Sequence, residues 1–338
     1  MSEIVRRNSE ILFLYDAKLC NPNGDPDEEN KPRMDYEARR NLVSDVRLKR
    51  YLRDYWLSLD EEVWKRLGYP EKQDVWVRQV GDQSGNLSRV SAKQRIDNLA
   101  QEFAEAQGKS PTAAKKLLGD PEFVRWLLGK LVDVRLFGAT MPVGEAEGER
   151  GGALTLTGPV QFTWGYSLNR AEILPSFTIS SQFAGREEKE KGQYGTFGKD
   201  WRIKYSLLAF YGTVSAWRAK YTNLKDHDLL LLDHSMVEAL PLLATTRSKL
   251  GQTFRLYLRL EYRDDQTFLG DLRAGLKLNP EEGLEDIRDV KLDFSELLDK
   301  IVAVKDRIEK VVLRVHSDFA SGTAFKKELE RALILKQG

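Results

Sequence analysis

"SEILFLYDAKLCNPNGDPDEENKPRMD", residues 9–35, passes from a run of strand formers into a segment that no strand can continue. The first part, SEILFLYDAK, is short, apolar and rich in β-favouring side chains, which predicts a central strand. Pro22, Pro26 and Pro32, the Asn23-Gly24 pair and five acids between Asp25 and Asp35 then end the pattern. Beyond them, "EARRNLVSDVRLKRYLRDYWLSL" carries apolar positions at Leu42, Val43, Val46 and Leu52 among strong helix formers and predicts a helix. The chain therefore opens as strand, long loop, helix. The loop is either a solvated turn or one held open for a ligand.

Residues 60 to about 135 read as mostly helical. Ser91 can cap a helix ending near Gly108, Ser110-Pro111 opens another and Asp120-Pro121 a third, so this region is expected to be an inserted subdomain. Strand character returns in "GGALTLTGPVQFTWGYSLN", where Leu154, Leu156, Val160, Phe162, Trp164 and Tyr166 share one parity around Gly158-Pro159. Such an aromatic row can stack bases or cover a core, and covering a core is the commoner use. Next, "ILPSFTISSQFAGREEKEKGQYGTFGKDWRIKYSLLAFYG" has two strand-like arms around a charged, glycine-rich tip, the pattern of a protruding hairpin. "LKDHDLLLLDHSMVEALPLL" predicts a helix capped by Asp226 or Asp228, and "QTFRLYLRLEY" a strand. The resulting order is strand, helix, two strand segments, helix, strand. This is the α+β, ferredoxin-like (RNA-recognition-motif-like) βαββαβ pattern, with large insertions. A tail with helix-like "SELLDKIVAV", strand-like "IEKVVLRVH" and helix-like "FKKELERALIL" decorates it.

A chain of 338 residues can bury a full core as one large domain or two smaller ones. Bases and acids nearly cancel, 53 against 52, so net charge excludes no class of partner. Their distribution is uneven. Residues 31–55 hold eight bases and four acids, residues 245–260 four bases and no acid, and residues 281–310 ten acids and six bases. Cys20 is the single cysteine and can form no internal disulfide, which fits a reducing compartment. No window suggests a signal peptide or a membrane helix, and a cytoplasmic protein with no membrane partner is expected.

His227, His234 and His316 lack zinc-site spacing. Asp25, Asp27, Glu28 and Glu29 resemble a calcium loop only superficially, without its glycine and terminal glutamate. No metal, cofactor or nucleotide-cradling motif is expected. The bases are more informative. Arg47, Arg50 and Arg53 recur every third residue with Lys49 beside them, a row that suits successive phosphates but is more often a solvated helix face. "TTRSKLGQ" places Arg247, Ser248, Lys249, Gly251 and Gln252 before a predicted strand, and "GTFGKDWRIK" adds Lys199, Arg202 and Lys204. Hydroxyls, amides and glycine-exposed N–H groups add phosphate contacts that read no base.

"LFLYDAKLCNPNGDPDEENKPRMD" followed by "NLVSDVRLKRYLRD" resembles the opening signature of the RAMP-superfamily backbone subunits of type I CRISPR surveillance complexes (Cascade), particularly the I-B and I-C kinds. "FGAT", "LTGPVQFTWGYSLN" and "TTRSKLGQ" extend the likeness from about residue 9 to residue 262. The resemblance implies a hand-shaped, non-catalytic protein. Its palm would comprise 1–56, 151–168 and 205–280, a helical finger insertion 57–150, a hairpin thumb 169–204 and a C-terminal extension 281–338. Copies would line up along one guide RNA (crRNA), holding its backbone for pairing with a target DNA strand. The other partners implied are the large subunit, the guide 5′-end-capping subunit and the guide-processing subunit. On this reading Asn21, Asn23 and Gly24 supply amide and backbone donors, Lys31 and Arg33 supply charge, and Ser44 joins the basic helix at the guide. Arg186, Phe197, Lys199, Arg202 and Lys204 would serve the thumb. The loop's acids would alternatively meet the next copy's basic helix. The sequence departs from the pattern at "ARRNL", where a glycine is common, at Ser44 for threonine, and in the thumb run "GTFGKDWRIKY". A second reading takes Asp25, Asp27 or Asp35 as the catalytic aspartate of a target-RNA endonuclease. A third is a protein-interaction module without RNA.

Overall fold

The computed structural model describes residues 3–78, 80–81, 87–88, 91–108, 117, 119–142, 153–181 and 196–334. Strand β1 (Ser9–Cys20) is buried along almost its whole length and lies between two long antiparallel neighbours. The remaining strands of this sheet are β2 (Met34–Asp35), β3 (Arg40–Val43), β4 (Val160–Phe162), β5 (Gly165–Ser167), β6 (Ile173–Ser181), β7 (Thr196–Val214), β8 (Gln252–Tyr262) and β9 (Ile308–Val315). They run in the order β9-β8-β1-β7-β5-β3-β2, with β4 and β6 also against β7, and every pairing is antiparallel. The chain is thus a mixed α/β protein built on antiparallel sheet.

Both faces of β1 are covered, which is why its middle, residues 11–15, is apolar at every step rather than at alternate ones. Ile11, Phe13, Tyr15 and Ala17 enter one core with helix α1 (Asp45–Ser58), through Leu48, Tyr51, Leu52, Tyr55 and Trp56. The same core takes Leu229, Leu231, Leu232 and Met236 from the helix Asp226–Leu243. Leu12 and Leu14 face the opposite way, into a second core closed by the C-terminal segment through Leu272, Phe294, Leu297, Ile301, Phe319 and Phe325. Helices Ala92–Ala106 and Pro121–Lys130 build a separate small core from Ile96, Leu99, Phe103, Phe123 and Leu127. Ser91 and Asp120 cap them through their side chains, as their positions in the sequence predict. The helix start expected at Ser110-Pro111 lies outside the described residues.

Three local expectations are corrected. The helix after the first loop starts at Asp45, because residues 40–43 pair as a strand with Met34–Asp35 and with Gly165–Tyr166. Leu42 and Val43 are therefore sheet residues, and Val46 is exposed. The single-parity row around Gly158-Pro159 is not one strand face. Leu154 and Leu156 join the helical core and Val160 and Phe162 the core shared with α1, while Trp164 is 48% exposed. The helix Asp226–Leu243 has Lys225 at its N-cap position, and Asp228 contributes by accepting from the Lys225 backbone N–H at 2.9 Å.

Candidate nucleic-acid interface

At the end of β1 the backbone bends out through Leu19, a non-glycine residue at φ 50° whose side chain is exposed, before Cys20 returns to pair with Ile203. The turn 245–251 is hydrogen-bonded to this bend. Lys18 N–H donates to Gly251 C=O at 2.9 Å and Asn21 N–H to Ser248 C=O at 2.8 Å. Gly251 is required here: its φ is +113°, and a Cβ would sit 2.3 Å from the Lys18 carbonyl oxygen. A Cβ on Gly24 would lie 2.0 Å from Asn30 Oδ1.

The amides of the loop are spent within the protein. Asn21, almost fully buried, donates from Nδ2 to Asn30 C=O at 2.7 Å. Asn23 Oδ1 accepts from the Ser44 N–H at 2.9 Å and from Ser44 Oγ at 3.0 Å, and Ser44 Oγ in turn accepts from the Arg47 N–H and caps α1. Asn21 and Asn23, expected as free donors, therefore form a clasp, Asn21 donating and Asn23 accepting, that fixes the start of α1 against the 245–251 turn, while Asn23 Nδ2 donates to Gly24 C=O at 3.3 Å.

The clasp sets three cations at the strand end with no carboxylate partner among the described residues. The Arg47 guanidinium lies 4.1 Å from the Tyr51 ring centre. Lys249 Nζ donates to the Asn21 and Pro22 carbonyls at 2.5 and 3.3 Å. Arg247, two residues earlier in the same turn, is exposed. Gln252 donates from Nε2 to Tyr51 Oη at 2.9 Å and to Lys249 C=O at 3.0 Å. Burial, reinforced by the Arg47 charge, lowers the Lys249 ammonium to about 8, and burial pushes the Cys20 thiol up to about 12. Tyr15 Oη, Asn21 Oδ1, Arg47 Nε and Gln252 Oε1 are buried without a hydrogen-bond partner, an unusual concentration of unsatisfied polar atoms around one cluster.

The other cations sit elsewhere or are already paired. Lys49 is bonded to Asp45 at 2.9 Å and Arg50 to Asp54 at 2.6 Å, while Arg53 is buried against Asp133 at 2.7 Å. The three-residue spacing of Arg47, Arg50 and Arg53 therefore does not make one free row. At the base of the β6–β7 hairpin, Lys31 Nζ lies 4.9 Å from the Trp201 ring, and Arg33 bonds Asp25 at 2.8 Å and approaches Trp164. Lys199 bonds Glu29 at 2.7 Å, Arg202 bonds Asp200 and the Leu19 carbonyl, and Lys204 bonds Glu285. Arg186 and the Phe197 side chain lie outside the described residues. The acidic 281–310 segment pairs internally with this basic edge: Glu281 and Glu282 reach Arg39, Arg40 and Arg170, and Asp286 takes Lys18.

Two of the three candidate catalytic acids, Asp25 and Asp35, have structural duties. Asp25 accepts from the Asp27 N–H and holds Arg33, and Asp35 accepts from the Ala38 N–H. Among the described residues, no three His, Cys, Asp or Glu side chains gather as metal ligands would. His234 meets Tyr55 Oη, His227 packs on Tyr69, and His316 contacts Arg255. Sequence reading missed Tyr51 and Tyr15, which line the cation cluster, and the Arg33–Trp164 approach. The two tyrosines sit on periodic core positions, and residues 33 and 164 have no spacing that links them.

Three cations without a carboxylate partner among the described residues, one on α1 and two on the turn 245–251, form a cluster at the end of β1 that can hold a polyanion. The chain belongs to the family described as CRISPR-associated protein Cas7, whose model matches residues 7–295. A relative from Haloferax volcanii, CRISPR-associated protein Cas7, is 32% identical over 316 residues, covering 89% of this chain and 84% of the relative. Two solved structures also align, described as "CRISPR RNA-guided surveillance complex, pre-nicking" and "CRISPR RNA-guided surveillance complex". Each alignment covers 96% of this chain and 99% of the other, at TM-scores of 0.46 and 0.42 and identities of 15% and 13%.

Proposed function

We propose that this chain is the non-catalytic backbone subunit of a type I CRISPR surveillance complex. It binds the guide RNA through its ribose-phosphate, lines up with copies of itself along that RNA and presents it for pairing with a target DNA strand. The observation that carries the reading is the cluster of Arg47, Arg247 and Lys249, without a carboxylate partner among the described residues, in a chain of this family. Cations and backbone groups hold phosphates without reading letters, and sequence discrimination is left to base pairing.

In this reading the strand segments 252–262, 9–20, 205–214 and 160–167 are a ferredoxin-like palm, consistent with their antiparallel 4-1-3-2 order and with helices Asp45–Ser58 and Asp226–Leu243 in one core. Residues 57–150 are the fingers and 169–204 the thumb. Both palm faces are covered, so the guide runs across the strand ends rather than over the sheet. The structural duties of Asp25 and Asp35 favour holding over cutting. No helix among the described residues is long and apolar enough to cross a membrane, and we place the complex in the cytoplasm with the large, guide-capping and guide-processing subunits as neighbours. Purification of the chain with its neighbours tests this: RNA of uniform length should accompany it, and RNA-free assemblies would refute it.

A further inference from the structure

We propose that the helix Ala216–Thr222 carries a second nucleic-acid site, which stacks the bases of an unpaired DNA strand. The helix needs no outward aromatic to fold. Ala216, Ala219 and Thr222 form its buried face, Ser215 caps it, and Thr222 Oγ1 donates to Arg135 C=O at 2.8 Å. Yet Trp217 and Tyr221, one turn apart on the other face, are 54% and 55% exposed, with ring centres 5.3 Å apart. Large apolar rings left in water without a packing role mark a binding surface.

The charges around the rings select the partner. Arg218 lies 5.4 Å from the Trp217 ring centre, and Lys220 lies 5.6 Å from Trp217 and 5.2 Å from Tyr221. Neither cation forms an ion pair among the described residues, unlike Lys49, Arg50, Lys199 and Lys204. An apolar protein partner would bury both charges unpaired at high cost. A single strand offers a flat base to each ring and a phosphate to each cation, whereas a duplex hides its base faces. Two rings and two cations read neither a base edge nor a ribose hydroxyl, so binding is tolerant of sequence.

The helix follows the end of β7 at Val214, whereas the guide cluster lies beside Ile203 of the same strand. At ~3.3 Å per residue the two sites are about 35 Å apart, too far for one nucleotide to span. The occupant rests on the proposed function: pairing of the guide with one target strand leaves the other unpaired.

The test uses the guide-loaded assembly, whose guide groove is filled, with fluorescent oligo(dT) as probe. Trp217→Ala with Tyr221→Ala should weaken oligo(dT) binding about tenfold or more, with guide retention and melting temperature unchanged. Trp217→Phe should restore part of the loss, and Arg218→Gln with Lys220→Gln should flatten the salt dependence. Unchanged oligo(dT) affinity in the double alanine variant overturns the proposal. So does a variant that binds oligo(dT) normally but loses assembly mass by light scattering, which would make the patch a contact between copies. Failure of the guide reading is seen separately: the wild-type chain would then bind no guide RNA, whatever oligo(dT) does at Trp217.

Discussion

Replacing Arg47, Arg247 and Lys249 with alanine should flatten the salt dependence of guide binding, whereas replacing Lys49 and Arg50 should barely change it. The first set has no carboxylate partner among the described residues, so its charge is available to phosphates. The second set is held by Asp45 and Asp54 and must break those pairs first. Lys249, lowered to about 8, is still largely protonated at neutral pH and so counts among the three. Each phosphate contact to a single strand contributes a slope of about 0.7 in log affinity against log salt, so loss of three reduces the slope by about 2. Between about 50 and about 200 mM salt, the advantage of wild type over the triple variant should therefore shrink about twentyfold. Fluorescence anisotropy with two guide-length RNAs of unrelated sequence, over a salt series, measures this. A triple variant with the wild-type slope would refute the reasoning, as would loss confined to one RNA sequence or a slope carried by Lys49 and Arg50.

The depressed Lys249 pKa makes folding and binding respond to pH in opposite directions. Between about 8 folded and 10.5 unfolded, the unfolded chain binds more protons, so this group's contribution to stability grows as pH rises through that window and is lost as pH falls. Guide affinity, which uses the charge, should fall as pH rises past 8; Lys249→Met should abolish both trends, and urea titrations with parallel anisotropy from pH 7 to 10 would expose a flat response. Ser44→Ala removes the α1 cap and the hydroxyl bonded to Asn23, and should cost about 1 kcal/mol in chemical unfolding. Wild-type stability in that variant would discard the clasp. Deletion of residues 186–198 should leave a soluble fold but loosen the hold on the guide–target duplex in nuclease-protection assays, and an unchanged footprint would remove the thumb from the account.

The central strand was readable because burial of both faces of β1 leaves no polar position in its middle, a pattern visible without coordinates. Ser91 and Asp120 were readable because capping is local chemistry. The start of α1 was not. Residues 40–43 carry helix-compatible side chains, but their backbone bonds go to strands more than a hundred residues away as well as to Met34–Asp35. Of the cation cluster, Arg47 was visible as one of a row of bases with Arg50 and Arg53, and the Arg247–Lys249 turn as bases in a stretch without acids. That Lys199 and Lys204 are neutralised was hidden, since Glu29 and Glu285 lie far from them in sequence and such pairing depends on the folded path, whereas the Arg50–Asp54 pair, four residues apart on one helix, has a local spacing. Asn21 and Asn23 look like free donors in a loop, and only the folded path reveals that Asn21 donates to Asn30, that Asn23 donates to Gly24 and that Asn23 accepts from Ser44.

Photo-crosslinking of a guide carrying 4-thiouridine at successive positions, followed by peptide mapping, tests the grip most directly. The account predicts crosslinks to peptides around residues 19–33, 44–51 and 245–252, unchanged when the guide sequence is scrambled at constant length. Crosslinks confined to other surfaces, or a map that moves with the sequence, would contradict it.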